Sequence, residues 1–123
     1  MDYIATSSAP SAIGPYSQAI VCGDTLYASG QIPINPKTGA SEAGDIKGQT
    51  EQACKNVGEV LKAAGMGFEN VVKTTCFLSD IGNFAAFNQV CAKYFVSKPA
   101  RSCVAVRDIP KGALCEIEIT AVR

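Results

Sequence analysis

Two β-prone runs near the end of the chain carry the side chains best suited to chemistry. In Lys98-Pro99-Ala100-Arg101-Ser102-Cys103-Val104-Ala105-Val106, one guanidinium stands near the start of an otherwise apolar run. Further on, Cys115-Glu116-Ile117-Glu118-Ile119 alternates strictly, which puts both carboxylates on one face of a strand. Arginine is scarce here, the other two being Arg107 and Arg123. A permanently charged, bidentate donor in a strand calls for a carboxylate. That carboxylate is either Glu116 or Glu118, in a structural ion pair, or belongs to an anionic ligand, which leaves a glutamate free for acid–base work. The strand pattern alone puts the ion pair first.

The rest of the composition narrows the chemistry. There is no histidine, which removes Ser-His-Asp and Cys-His sites, most zinc sites and the usual general base near neutral pH. Eleven basic and eleven acidic residues cancel, and the lysines are scattered without a basic stripe. That balance argues against a nucleic-acid partner. The six cysteines never approach C-x-x-C spacing and mostly sit in apolar periodic segments, as small hydrophobes do. No basic flank with an apolar run opens the sequence, and no stretch approaches the roughly 18 apolar residues of a membrane span. A cytoplasmic protein with reduced thiols, without metal or cofactor, is the expectation.

The elements that must position these groups follow from periodicity. At 47% hydrophobic and 18% charged, the 123 residues read as one globular domain over 1–123. Residues 7–15 are breaker-rich loop. Strands over 16–22 and 25–32 flank the Gly23-Asp24 turn as a hairpin. Ile46, Ala53, Val57, Val60, Leu61 and Ala64 then recur at helical spacing, with Asp45 as N-cap and Gly65 as stop. A β-branched run over 71–78 follows, then a second helix over 84–95 whose apolar side is Phe84, Phe87, Val90, Cys91, Tyr94 and Phe95. The strands bearing Arg101 and Glu116 close the order β-β-α-β-α-β-β, with room for a short strand at the N-terminus. One sheet with two helices on one face satisfies it, an α+β architecture. The strands carry apolar residues on both faces, so the uncovered face is expected to pack on further copies of the chain.

Several longer motifs occur in fixed order: Ala12-Ile13-Gly14-Pro15-Tyr16-Ser17-Gln18-Ala19, Ser29-Gly30-Gln31-Ile32-Pro33, Asn35-Pro36-Lys37-Thr38-Gly39, Val72-Lys73-Thr74-Thr75, Asn88, Pro99-Ala100-Arg101-Ser102-Cys103-Val104, Pro110-Lys111-Gly112-Ala113-Leu114 and Glu116-Ile117-Glu118. In these, nearly end to end, the chain resembles the RidA/YjgF family of reactive-intermediate deaminases, formerly named endoribonuclease L-PSP. The resemblance implies a chorismate-mutase-like subunit in a homotrimer, with the sheets forming a barrel and clefts between neighbours. It implies cofactor-free hydrolysis of 2-imino acids or their enamine tautomers, such as 2-aminoacrylate and 2-iminobutanoate, to 2-oxo acids and ammonia. By motif position Arg101 would bind the substrate carboxylate and Glu116 hold or activate water. Tyr16, Ser29, Asn88 and Cys103 would line the cleft.

Each of these residues also has a purely structural reading. Tyr16 could anchor its loop, and Ser29 could satisfy backbone groups in a turn. Asn88, on a largely apolar helix, needs a partner for its amide. Cys103 reads as a wall residue, since nothing basic at a recognisable spacing lowers its pKa. Lys73 reads as solvated rather than as a Schiff-base lysine. Many relatives carry an aromatic residue just before Pro-Ala-Arg, after a longer connection. Here Val96-Ser97-Lys98 leads straight to Pro99, so Lys98 adds positive charge at the cleft's rim. A non-catalytic carboxylate-binding module, and a ribonuclease, are the competing functions.

Overall fold

The computed structural model describes all residues, 1–123. Its strands are β1 (Asp2–Ile4), β2 (Ala19–Cys22), β3 (Thr25–Ala28), β4 (Val71–Leu78), β5 (Ala100–Ala105) and β6 (Cys115–Val122), and its helices α1 (Ile46–Ala63) and α2 (Phe84–Tyr94). They form a single sheet in the order β1-β2-β3-β6-β4-β5. Every pairing is antiparallel except β4 with β5, which α2 connects. The expected α+β fold, with a mixed sheet and two helices, is what forms.

Local chemistry sets the element boundaries. Asp45 caps α1 by accepting from the Gly48 N–H at 3.0 Å. At the other end Gly65, at φ +71°, turns the chain so that the Met66 N–H reaches the Leu61 carbonyl at 2.9 Å, a stop that a residue with a Cβ adopts only under strain. The strands of the first hairpin are shorter than expected. Residues 16–18 are not strand, and the ladder after Ala28 reduces to one bond from the Ser29 N–H to the Gln18 carbonyl. Beyond Gly30 the chain changes partner, and Gln31 pairs with Ile117 of β6.

Leu26, Val57, Val60, Leu61, Leu78, Phe87, Ile117 and Ile119 fill the core between sheet and helices, each almost wholly removed from water. Truncating such residues typically costs about 2–5 kcal/mol. Phe68 stacks edge-on against Phe95, ring centres 5.2 Å apart, and Gly58 leaves room for that ring against α1. Phe84, expected on the apolar side of α2, is instead exposed. Tyr94 is half-buried, its hydroxyl donating to Glu51. The sheet face away from the helices is uncovered and carries exposed Tyr27 and Val104.

Candidate active site

Cross-strand register decides how the chemical groups meet. Arg101 pairs with Thr74, which is buried on the helix side of the sheet. Glu116 pairs with Phe77, and Glu118 with Thr75. Because side chains alternate across a strand, Thr74 lies on one face while Thr75 and Phe77 lie on the other. Arg101 therefore sits on the helix face, and both glutamates on the open face. The ion pair that the strand pattern put first does not form. The only salt bridges are Lys93–Glu51 and Arg107–Asp108.

What Arg101 does instead is dock on α2. Its Nη1 donates to Asn88 Oδ1 at 2.6 Å, and its Cζ lies 5.4 Å from the centre of the Phe84 ring. Phe84 and Asn88 stand one helical turn apart, so a single helix face supplies both a cation–π platform and a hydrogen-bond anchor. The rest of the guanidinium fork has no partner in the protein. Asn88, the amide that needed a partner, thus finds it in Arg101. Cys103 follows on the same strand face, half-buried. Burial pushes its thiol up, partly offset by Arg101, which favours the thiol over the thiolate. A cavity of 240 Å³ opens beside these residues, with Thr74, Cys76, Asn88, Cys91, Lys98 and Arg101 among its walls.

A second group of residues gathers around Gly30. A Cβ there would collide with the Glu116 carboxylate, its Cδ lying only 2.8 Å away. The approach is held by the Gln31–Ile117 pair, whose two backbone bonds measure 2.8 and 3.0 Å. Burial first, and the neighbouring Glu118 second, push Glu116 above the ordinary carboxylate value. Both effects disfavour the charged form.

Ser29 donates its hydroxyl to the Ser17 carbonyl at 2.6 Å, which matches its backbone-satisfying reading. Tyr16 is exposed, and its hydroxyl accepts from the Ile13 N–H at 3.4 Å. It also lines a cavity of 220 Å³ together with Gly30 and Lys111. Lys73 is exposed, its ammonium 3.5 Å from the Ser102 hydroxyl, as a solvated lysine would be. One structural residue of this region carried no role in the sequence reading. Gln18, buried, bonds the Pro10 carbonyl at 2.7 Å and the Thr6 N–H at 2.7 Å, tying the opening loop to the sheet. A buried amide inside a motif was the available signal.

The expected site residues therefore fall into two halves. Arg101, Asn88 and Cys103 form one, and Glu116, Ser29 and Tyr16 cluster about Gly30 in the other. All six cysteines are free, and burial pushes Cys76 and Cys115 up to about 12. No group of three His, Cys, Asp or Glu side chains is placed to hold a metal. No helix is long and apolar enough to cross a membrane.

Comparison with known proteins agrees with this architecture. A family model described as endoribonuclease L-PSP matches residues 6–123. A RutC family protein of Pyrococcus horikoshii is 50% identical over 99% of this chain and 98% of its own length. The human protein named 2-iminobutanoate/2-iminopropanoate deaminase is 48% identical over 98% of this chain and 88% of its own. A crystal structure from Yersinia pestis, described as a protein of unknown function of the conserved Rid family, superposes with a TM-score of 0.96. It is 52% identical and covers 99% of this chain and 98% of its own. The chain belongs to the RidA/YjgF family, the one whose model bears the endoribonuclease L-PSP description.

Proposed function

We propose that the protein is a hydrolytic deaminase that converts small 2-imino acids and their enamine tautomers to 2-oxo acids and ammonia. The observation that carries this reading is the Arg101 fork, preset by Asn88 and Phe84 and without any carboxylate partner. A guanidinium so held is a receptor for a carboxylate. Relatives named 2-iminobutanoate/2-iminopropanoate deaminase, at 48% identity, supply the substrate class.

The chemistry needs little more than position and one proton carrier. A protonated imine is already electrophilic at C2. Water adds there while Glu116 takes its proton, giving a carbinolamine. Glu116 returns that proton to the nitrogen and takes the proton of the carbinolamine hydroxyl as the C–N bond breaks. The carbonyl forms, ammonia leaves and is protonated to ammonium by Glu116, and one water is consumed for each 2-oxo acid formed. A carboxylate raised by burial suits both steps, since its proton is held more tightly and is still released. Orientation of the substrate by Arg101 can lower such a barrier by several kcal/mol. Tyr16, Ser29 and Cys103 serve as walls of the cleft, and Asn88 positions Arg101.

Arg101 and Glu116 lie on opposite faces of one sheet, so a complete site requires two copies of the chain. A homotrimer, each cleft taking Arg101 from one subunit and Glu116 from the next, meets that requirement. The uncovered sheet face with Tyr27 and Val104 supplies apolar surface to bury in it. The free cysteines fit a reducing compartment such as the cytosol.

The test generates 2-aminoacrylate and 2-iminobutanoate in situ with a serine/threonine dehydratase and lets semicarbazide compete for the imine. Wild-type protein is expected to reduce semicarbazone formation. An unchanged trapping rate would remove the enzyme reading and leave carboxylate binding as the function. Mixing Arg101→Ala with Glu116→Ala subunits, each inactive alone, should restore about a quarter of the wild-type activity after subunit exchange in a cyclic trimer. No recovery would place both residues of each site in one chain.

A further inference from the structure

The cavity beside Arg101 contains a second cation that the deaminase reading does not use. Lys98 lines it together with Arg101, and no aspartate or glutamate does. Neither cation takes part in a salt bridge. Lys98 is held at φ +50°, a left-handed conformation that disfavours any side chain with a Cβ. Its N–H is bonded to the Phe95 carbonyl at 3.1 Å, and Pro99 stiffens the next step. A lysine kept where glycine would be unstrained points to a use for its ammonium.

Thr74 shares this wall, but its hydroxyl oxygen is sealed from solvent and lies beside the Cys76 thiol, so it is not offered to a ligand. Of the other walls, Cys91, Ala92, Phe95 and Pro99 offer largely apolar surface that suits a short aliphatic spacer.

We infer that this cavity selects 2-imino acids bearing a second, side-chain carboxylate, with Arg101 on the carboxylate next to the imine and Lys98 on the distal one. A monocarboxylate would satisfy the Arg101 fork and leave Lys98 as it is. A dicarboxylate brings two negative charges to two cations that lack a carboxylate partner. The inference rests on the reading of Arg101 as the carboxylate receptor and adds the substrate class to it.

Calorimetric titration with 2-oxoglutarate and 2-oxobutanoate, stable stand-ins for a dicarboxylate and a monocarboxylate imine, tests it alongside the semicarbazide assay. Wild-type protein should bind 2-oxoglutarate about tenfold more tightly, the scale of one hydrogen bond to a charged group. Lys98→Met should bring the ratio of the two affinities close to one, and Lys98→Arg, which keeps the charge, should retain most of it. Equal binding of both acids by wild type, or a ratio that Lys98→Met leaves in place, would overturn the inference. If 2-iminobutanoate is deaminated without any preference for the dicarboxylate, only this inference falls. A Lys98-dependent preference with no deamination upholds the cavity and removes the deaminase reading, and binding of neither acid removes both.

Discussion

Arg101→Ala should lose about a thousandfold in kcat/KM for 2-iminobutanoate, equivalent to two charge-assisted hydrogen bonds at roughly 2 kcal/mol each. The loss should appear in kcat as well as in KM, because under the proposed reaction the fork would set the angle at which C2 meets water in addition to holding the substrate. Stability is expected to change little. Arg101 is exposed, and Asn88 is the only hydrogen-bond partner of its side chain within the chain. Surface changes of that kind usually stay within about 0.5 kcal/mol. Arg101→Lys separates charge from geometry: it keeps the cation but loses the fork, so it should recover only a small part of the activity. Steady-state kinetics together with thermal denaturation of both variants decide the matter. Full activity in Arg101→Lys would mean that a point charge suffices and that the docking on Phe84 and Asn88 has no catalytic use. A cooperative loss of folding in Arg101→Ala would show instead that the residue is structural.

The same residue shows how far the sequence could be read. Within one strand, alternation is local, so the shared face of Glu116 and Glu118 was legible directly. The relative face of Arg101 was not. It depends on β4 lying between β5 and β6, and on Thr74, Thr75 and Phe77 as the paired residues. Those are non-local facts that no periodicity carries, and a shift of one residue in either register would reverse the answer. The helices were legible for the opposite reason. Asp45, Gly65 and the apolar spacing between them act within a few residues of the backbone they control. The overlong second and third strands mark the boundary between the two cases. Residues 29–32 look β-prone by themselves, yet Gln31 pairs with Ile117 of the central strand rather than continuing the hairpin. Lys98 and Thr74 lay in plain view as residue types. Only the packing of α2 beside β5 makes them walls of one cavity.

That change of partner at Gly30 leads to the second large effect. Gly30→Ala should reduce kcat about a hundredfold, the scale expected when a catalytic group is displaced by about 1 Å, and should leave the fold intact. The added methyl would collide with the carboxylate end of Glu116, and a flexible side chain can swing aside at little cost. The swing removes the carboxylate from the position its backbone was built to give it. Glu116→Ala should be at least as impaired, since no other carboxylate of the half-site is held at Gly30. Glu118 shares the strand face but is exposed, and it stands two residues away. The decisive measurement is the double variant. If Gly30→Ala acts only through Glu116, adding it to Glu116→Ala should change kcat by less than about twofold, a non-additive result expected of residues that work as a unit. A further hundredfold loss would show that the methyl blocks the cleft itself, and an active Gly30→Ala would show that Glu116 need not be where it stands. A folded, weakly active Gly30→Ala protein whose defect vanishes in the Glu116→Ala background would tie the glycine to the glutamate, and the glutamate to the proton.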